Sequence, residues 1–426
     1  MFFFCALCIQ YLLRIANQPR FYSRSDYCVA AAKWAFPYVY GYTIYEALYG
    51  KDKYEQVLDM VDTVVNSGVK VLLNSNTFMD ATSRTATNKK IAKLRTFIGF
   101  PPPIIDYETL ASYYSTVVII YNYMENLEQV AGGRAISQQL LYNGETVNMT
   151  GSWPSGFSDP NSFGYWFVYL FVCSFLNKRS KVIILLNSVP TGNYFTIPVL
   201  ITQKPFFDVS YPSSINFGGI GAVELFFCFF VIGHEMSHGY DPNVRRAKPS
   251  LCVFISNYFG GLKSIFCLFY KGHHVNGDGK YVNTSIWTAS TKAEYDDRVQ
   301  CLIDQYDTLE IANGVYVDGN RTKTENVADN SGSAASWLAW QAWKQNVVDP
   351  VLPGVNLTSE QLFFLGWARS WCEVTVSSYY VGWRDVHAPN EARVWGVVQN
   401  SQHFADAYKC AANTFMNPTS KCQLWS

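Results

Sequence analysis

The sequence predicts a mainly α-helical fold with a small β element, on three observations. Apolar residues recur at three- and four-residue steps over long stretches of the chain. Hydrophobic residues make up 49% of the 426 positions and charged residues only 15%, enough apolar material for a large core. One short run alone, Tyr194 to Ile197 between Gly192 and Pro198, has the composition and punctuation of a strand.

Taken in order, residues 1–13 are apolar (MFFFCALCIQYLL) but lack a basic leader and a small-residue cleavage site. They are also shorter than the roughly 20 residues that span a bilayer, so residues 1–24 are read as an uncertain start. From residue 25 to about 127 the pattern is helical, with Tyr54, Val57, Leu58, Val61 and Val64 on one face. Residues 85–98 read as a helix through Ile91, Leu94, Phe97 and Ile98, stopped by Gly99 and Pro101. A Gly/Pro/Ser-containing stretch follows over 143–161, and helical patterns return near Phe226, Thr324 and Ser359. Two further apolar runs, 163–176 and 251–270, fall short of a clean membrane span, the second interrupted by Asn257, Gly260, Gly261 and Lys263. A polytopic membrane protein is therefore not expected.

Lys plus Arg and Asp plus Glu number 33 each, so the net charge is zero, which argues against a nucleic-acid partner. Eleven cysteines are an odd number, and no C-x-x-C pair has a matching partner for a finger-type zinc cluster. Sequons at Asn148, Asn283, Asn320 and Asn356, together with the cysteines, lean toward the secretory pathway.

The informative stretch is Val231-Ile232-Gly233-His234-Glu235-Met236-Ser237-His238. Residues four apart share a helical face, so His234 and His238 can present nitrogens to one tetrahedral metal. Glu235 stands beside them, placed to take a proton from a water that the metal activates. Chance produces H-E-x-x-H in roughly three chains per thousand of this composition, so the match is informative. A catalytic zinc needs a third protein ligand, and Glu325 with Asp329 offers two carboxylates on one helical face. Glu325 is the candidate ligand, and Asp329 the group that orients a ligand histidine. Taken alone, that carboxylate pair reads as a solvated helix face.

These motifs resemble the neprilysin and endothelin-converting-enzyme family of zinc metallopeptidases. The resemblance rests on VIGHEMSHGYD (231–241), ENVADN (325–330), QKPFFD (203–208), SINFGGIGAV (214–223) and FFLGWARSWC (363–372), and on the block from DVHAPNEARVWG to CQLW. FMD (78–80) and IGFP (98–101) resemble weaker signatures. The resemblance implies a bilobal zinc metallopeptidase with a thermolysin-like catalytic lobe over 151–426 and a partial helical covering lobe over 1–150. It implies one zinc on His234, His238 and Glu325, Glu235 as general base and Asp329 as orienter. His387 and Arg393 match the pair that stabilises the oxyanion and grips the substrate backbone, with Asp385 orienting His387. Val231 and Trp371 match positions lining an apolar substrate pocket, although either could equally be core, and Asn187 matches a substrate-backbone contact. By family position Cys301 and Cys422 form a disulfide, while Cys28, Cys372 and Cys410 match cysteines whose partners lie further toward the amino terminus.

The function implied is a zinc endopeptidase that cleaves short peptides on the amino side of large hydrophobic residues, with oligopeptides as partners. The place implied is extracellular or a plasma-membrane ectodomain, with membrane association through an amino-terminal anchor. Expected insertions lie at 163–186, 224–230 and 247–274. The second of these, ELFFCFF, adds seven residues, or about 700°, so an extended helix would keep its phase to within roughly 20° and move its start by about 10 Å. The competing expectation is a catalytically inactive homologue or fragment whose zinc geometry those insertions disrupt.

Overall fold

The computed structural model describes residues 36–115, 193–197, 202–220, 232–242, 253–254, 265–266, 272–278, 280, 282, 284–345, 347–374, 379–380 and 383–425. Helix α1 (Pro37–Leu48) opens on a proline, whose missing N–H costs nothing in a first turn. Helix α2 (Gly50–Thr63) runs through a π-helical segment (Val64–Val69) into α3 (Lys70–Ser75). Helix α4 (Ala81–Ala92) is capped by Asp80, whose carboxylate accepts the Ser83 N–H at 2.8 Å. Strand β1 (Arg95–Ile98), α5 (Pro102–Ile105), α6 (Tyr107–Tyr113) and strand β2 (Tyr194–Ile197) come next. They are followed by α7 (Ser213–Gly219), α8 (Ile232–His238), β3 (Val253–Phe254) and β4 (Ile265–Phe266). Helix α9 (Ala289–Asp307) has Thr288 as its cap. It leads through the hairpin β5 (Glu310–Ala312) and β6 (Val315–Tyr316) to the long α10 (Gly319–Trp343), capped by Asp318. The chain ends with α11 (Ser359–Ser370), closed by a Thr358–Gln361 capping box, then α12 (Asn390–Asn400) and α13 (Gln402–Tyr408).

The described residues fall into two compact units. Residues 36–49 and 100–115 belong to one, in which Tyr45 and Tyr49 set their rings edge-on to the buried Phe100. Residues 50–99 and the described residues from 193 onward belong to the other. Residues 50–99 thus group with the chain around H-E-x-x-H. Helix α10 is the axis of this second unit: Val327, Ala328, Ala335, Ala339 and Trp340 are buried. The π-helical segment, α8, α9 and α12 all pack on it. Helices α7 and α11 meet through paired glycines. A Cβ at Gly218 would lie 1.9 Å from the Phe363 carbonyl oxygen, and one at Gly366 would lie 2.5 Å from that of Ile215, so only glycine permits this approach.

The short strand expected at 194–197 is β2, paired in parallel with β1 so that Arg95 faces Tyr194 and Ile98 faces Ile197. That pairing corrects the helix expected over 85–98. The helix ends at Ala92, and the residues from Arg95 to Ile98 exchange helical periodicity for ladder hydrogen bonds with a partner about a hundred residues away. On α2 the buried residues are Tyr54, Val57, Met60 and Val61, while Leu58 is exposed, so Met60 replaces Leu58 on the predicted face. Among the described residues no helix is long and apolar enough to cross a membrane. The run 163–176 and the expected insertions 163–186 and 224–230 lie outside the described residues, as does the pattern near Phe226. Within 247–274 the described residues are β3 paired antiparallel with β4, and the turn Gly272–His274.

Candidate metal centre

Helix α8 presents His234 and His238 one turn apart, with the two Nε2 atoms 2.9 Å from each other. Glu325, on α10, brings Oε2 to 3.3 Å from His234 Nε2 and 3.5 Å from His238 Nε2. One ligand atom from each residue lies within 4.8 Å of the others, and the three could hold a metal ion. Two imidazoles and a carboxylate are the donor set that suits zinc with one position left open, so the residues present fit that ion. The approach of the two helices depends on Gly332, since a Cβ there would lie 2.7 Å from the His234 backbone nitrogen.

Each imidazole is held from behind by a carboxylate. His234, fully buried, sets Nδ1 2.9 Å from Asp329 Oδ1. Asp329 is itself fully buried, and Arg393 donates to it through Nε at 2.6 Å and Nη2 at 2.7 Å. The guanidinium stands over the Trp371 ring at 4.1 Å. His238 Nδ1 lies 3.0 Å from Asp241 Oδ1. Burial alone would push the His238 pKa down, but the Asp241 and Glu325 carboxylates outweigh it and raise it well above the usual range. Burial also raises the Asp241 carboxyl, with His238 pulling it back. At the end of α8 the buried Lys90 ammonium donates to the Gly239 carbonyl and faces the Tyr240 ring, and burial pushes its pKa down to about 7.

His387 reaches the same cluster from the segment before α12, with Nε2 3.6 Å from Glu325 Oε2. Its Nδ1 lies 2.5 Å from Asp385 Oδ1, and Asp385 also accepts its backbone N–H at 2.9 Å. Of the residues singled out in the sequence, the fold brings together His234, His238, Glu325, Asp329, His387 and Arg393. Glu235 lies within α8, but its side chain is outside the described residues, as are Asn187 and Val231 entirely. Trp371 is 3% exposed, packed beneath Arg393. Cys301 and Cys422 form a disulfide with Cα atoms 5.6 Å apart, and Cys372 and Cys410 are free thiols. Two features went unread in the sequence. Asp241 as the partner of His238 was detectable, standing three residues beyond it. The grip of Arg393 on Asp329 joins residues 64 positions apart and has no local signal.

The profile of peptidase family M13 matches residues 187–252 and 265–424 of the chain. The interval between the two matched segments, 253–264, falls inside the expected third insertion. Mouse neprilysin is 30% identical over 388 residues, covering 89% of this chain and 43% of neprilysin. An endothelin-converting enzyme homolog from Locusta migratoria is 29% identical, covering 94% of this chain and 46% of its own. The chain thus spans under half the length of these relatives. Among solved structures, the open state of the Mycobacterium tuberculosis zinc metalloprotease Zmp1 aligns with a TM-score of 0.69 at 21% identity, over 98% of this chain and 55% of that one. PepO from Lactobacillus aligns with a TM-score of 0.54 at 23% identity, over 96% and 52%.

Proposed function

The chain belongs to peptidase family M13, and from that membership we propose that it is a zinc-dependent endopeptidase cleaving short peptides on the amino side of hydrophobic residues. The observation that carries this reading is the convergence of His234 Nε2, His238 Nε2 and a Glu325 oxygen within 4.8 Å of one another, each imidazole backed by a carboxylate. One zinc per chain would be held by these three side chains. When bound, such an ion supplies Lewis acidity toward a carbonyl oxygen and a nucleophile at neutral pH.

The rest of the chemistry belongs to the chain's own residues. Glu235, adjacent to His234, takes the proton of the attacking water and delivers it to the leaving amine. His387 Nε2, held by Asp385 through the other ring nitrogen, donates toward the oxygen that gains charge in the transition state. Asp329 fixes the tautomer of His234, and Arg393, buried with it, neutralises Asp329 and is assigned by motif to the oxyanion and the substrate backbone. Trp371 closes the wall behind Arg393, and Asn187 and Val231 are assigned to substrate contact by motif. A helical covering lobe drawn from the chain before residue 151, to which residues 36–49 and 100–115 would belong, would restrict entry to oligopeptides, and the setting would be extracellular or a membrane ectodomain.

Hydrolysis of a peptide with a central large hydrophobic residue tests this reading. Activity that is abolished by Glu235→Gln, lost on chelation and restored by zinc supports it. Metal-free, inactive material after dialysis against zinc would instead favour a non-enzymatic homologue.

A further inference from the structure

We propose that Arg321 and Trp383 are positioning residues for His387, tying the segment that carries it to the helix that carries Glu325. Arg321 stands one turn before Glu325 on α10, so the two share a helical face. Its Nη1 donates to the Trp383 carbonyl at 3.1 Å, and its Nη2 lies 2.9 Å from an Asp318 oxygen at the head of the same helix. The Trp383 indole N–H donates to the His387 carbonyl at 2.9 Å. His387 Nε2 in turn lies 3.6 Å from Glu325 Oε2. The contacts form a closed circuit from Glu325 along α10 to Arg321, across to Trp383, on to His387 and back.

Asp385, two residues from His387, bonds both its ring and its backbone N–H and so orients His387 within its own segment. Beyond His387, burial of Ala388 and Asn390 anchors the chain. Before it, Arg384 and Val386 are exposed, and there the polar tie through Trp383 locates the backbone. The Trp383 ring is steadied by Tyr379 and Tyr380, with centroids at 5.3 and 5.8 Å.

The kinetic part of the test rests on the peptidase reading; the exchange part does not. In the full zinc-loaded chain, Arg321→Met and Trp383→Phe are expected to lower kcat roughly 10- to 100-fold with KM held within about twofold. Zinc content and thermal midpoint should stay unchanged. Arg321→Lys, which keeps a donor, should recover most of the loss. Amide hydrogen exchange at His387 should accelerate by about tenfold in both damaging variants while that of α10 stays as it was. Wild-type exchange and kcat in both variants would overturn the proposal. So would a joint loss of zinc and thermal stability, which would mark a general packing role. Should the unmodified chain hydrolyse no peptide, the peptidase reading fails, and the exchange comparison alone decides whether the tie exists.

Discussion

His234 and Asp329 meet in the interior with both side chains fully buried, Nδ1 2.9 Å from Oδ1. A carboxylate can only accept, so this bond places the imidazole proton on Nδ1 and leaves the Nε2 lone pair facing His238 and Glu325. Arg393 supplies the charge that makes a buried carboxylate tolerable there. Asp329→Ala should weaken zinc affinity roughly 10- to 100-fold. It should also lower folding stability by about 3–5 kcal/mol, because the guanidinium loses its carboxylate without reaching water. Chelator competition and a denaturant titration measure the two effects; unaltered zinc affinity in the folded variant would contradict the role.

Gly332→Ala places a methyl group 2.7 Å from the His234 nitrogen and 3.1 Å from the Gly233 carbonyl carbon, so α8 must move away from α10. The expected cost is about 1–3 kcal/mol of stability, together with a lower zinc content, since the shift carries both histidines away from Glu325. A thermal melt and metal analysis of the variant check both effects.

Asp80 links the starts of two helices. It accepts the Ser83 N–H, caps α4, and takes the hydroxyls of Thr288 and Thr291 at the head of α9. The Ser83 backbone bond, followed by the Thr288 hydroxyl, lowers its pKa from 3.8 to about 2. A depressed carboxyl pKa stabilises the fold fully above the unfolded value, and the contribution fades as pH falls from there through the folded value. Asp80→Asn should therefore be less stable than the parent at pH 6, with the gap narrowing between pH 4 and pH 2. Urea midpoints across that range test this, and a gap independent of pH would contradict it.

The Cys301–Cys422 bridge closes a loop of 121 positions and ties the chain end to α9. Just beyond it, the Trp425 indole donates to the Ser331 hydroxyl on α10, two residues past Asp329. Cys422→Ser should cost on the order of 4–5 kcal/mol by loop-closure entropy. Denaturant unfolding under non-reducing conditions would reveal it.

The sequence was most legible where function compresses residues into local spacing. His234 and His238 share a helical face by arithmetic, and Glu325 and Asp329 do the same, so the cluster could be listed before any fold was known. The strand Tyr194–Ile197 was legible from its flanking Gly192 and Pro198. The partner of that strand was not, because Ile91, Leu94, Phe97 and Ile98 fit a helical period and only the pairing with Tyr194–Ile197 makes Arg95–Ile98 extended. The same limit hid the bond of Arg393 to Asp329 and that of Arg321 to Trp383: both are long-range polar contacts, and no local spacing announces a partner 64 or 62 positions away.

Zinc content of the purified full chain, read by elemental analysis beside Glu325→Ala, tests the central claim most directly. The account predicts about one zinc per wild-type chain after dialysis against zinc, and little in Glu325→Ala with an unchanged circular-dichroism spectrum. A wild-type chain that stays zinc-free, or a variant that holds zinc as tightly as the parent, would contradict it.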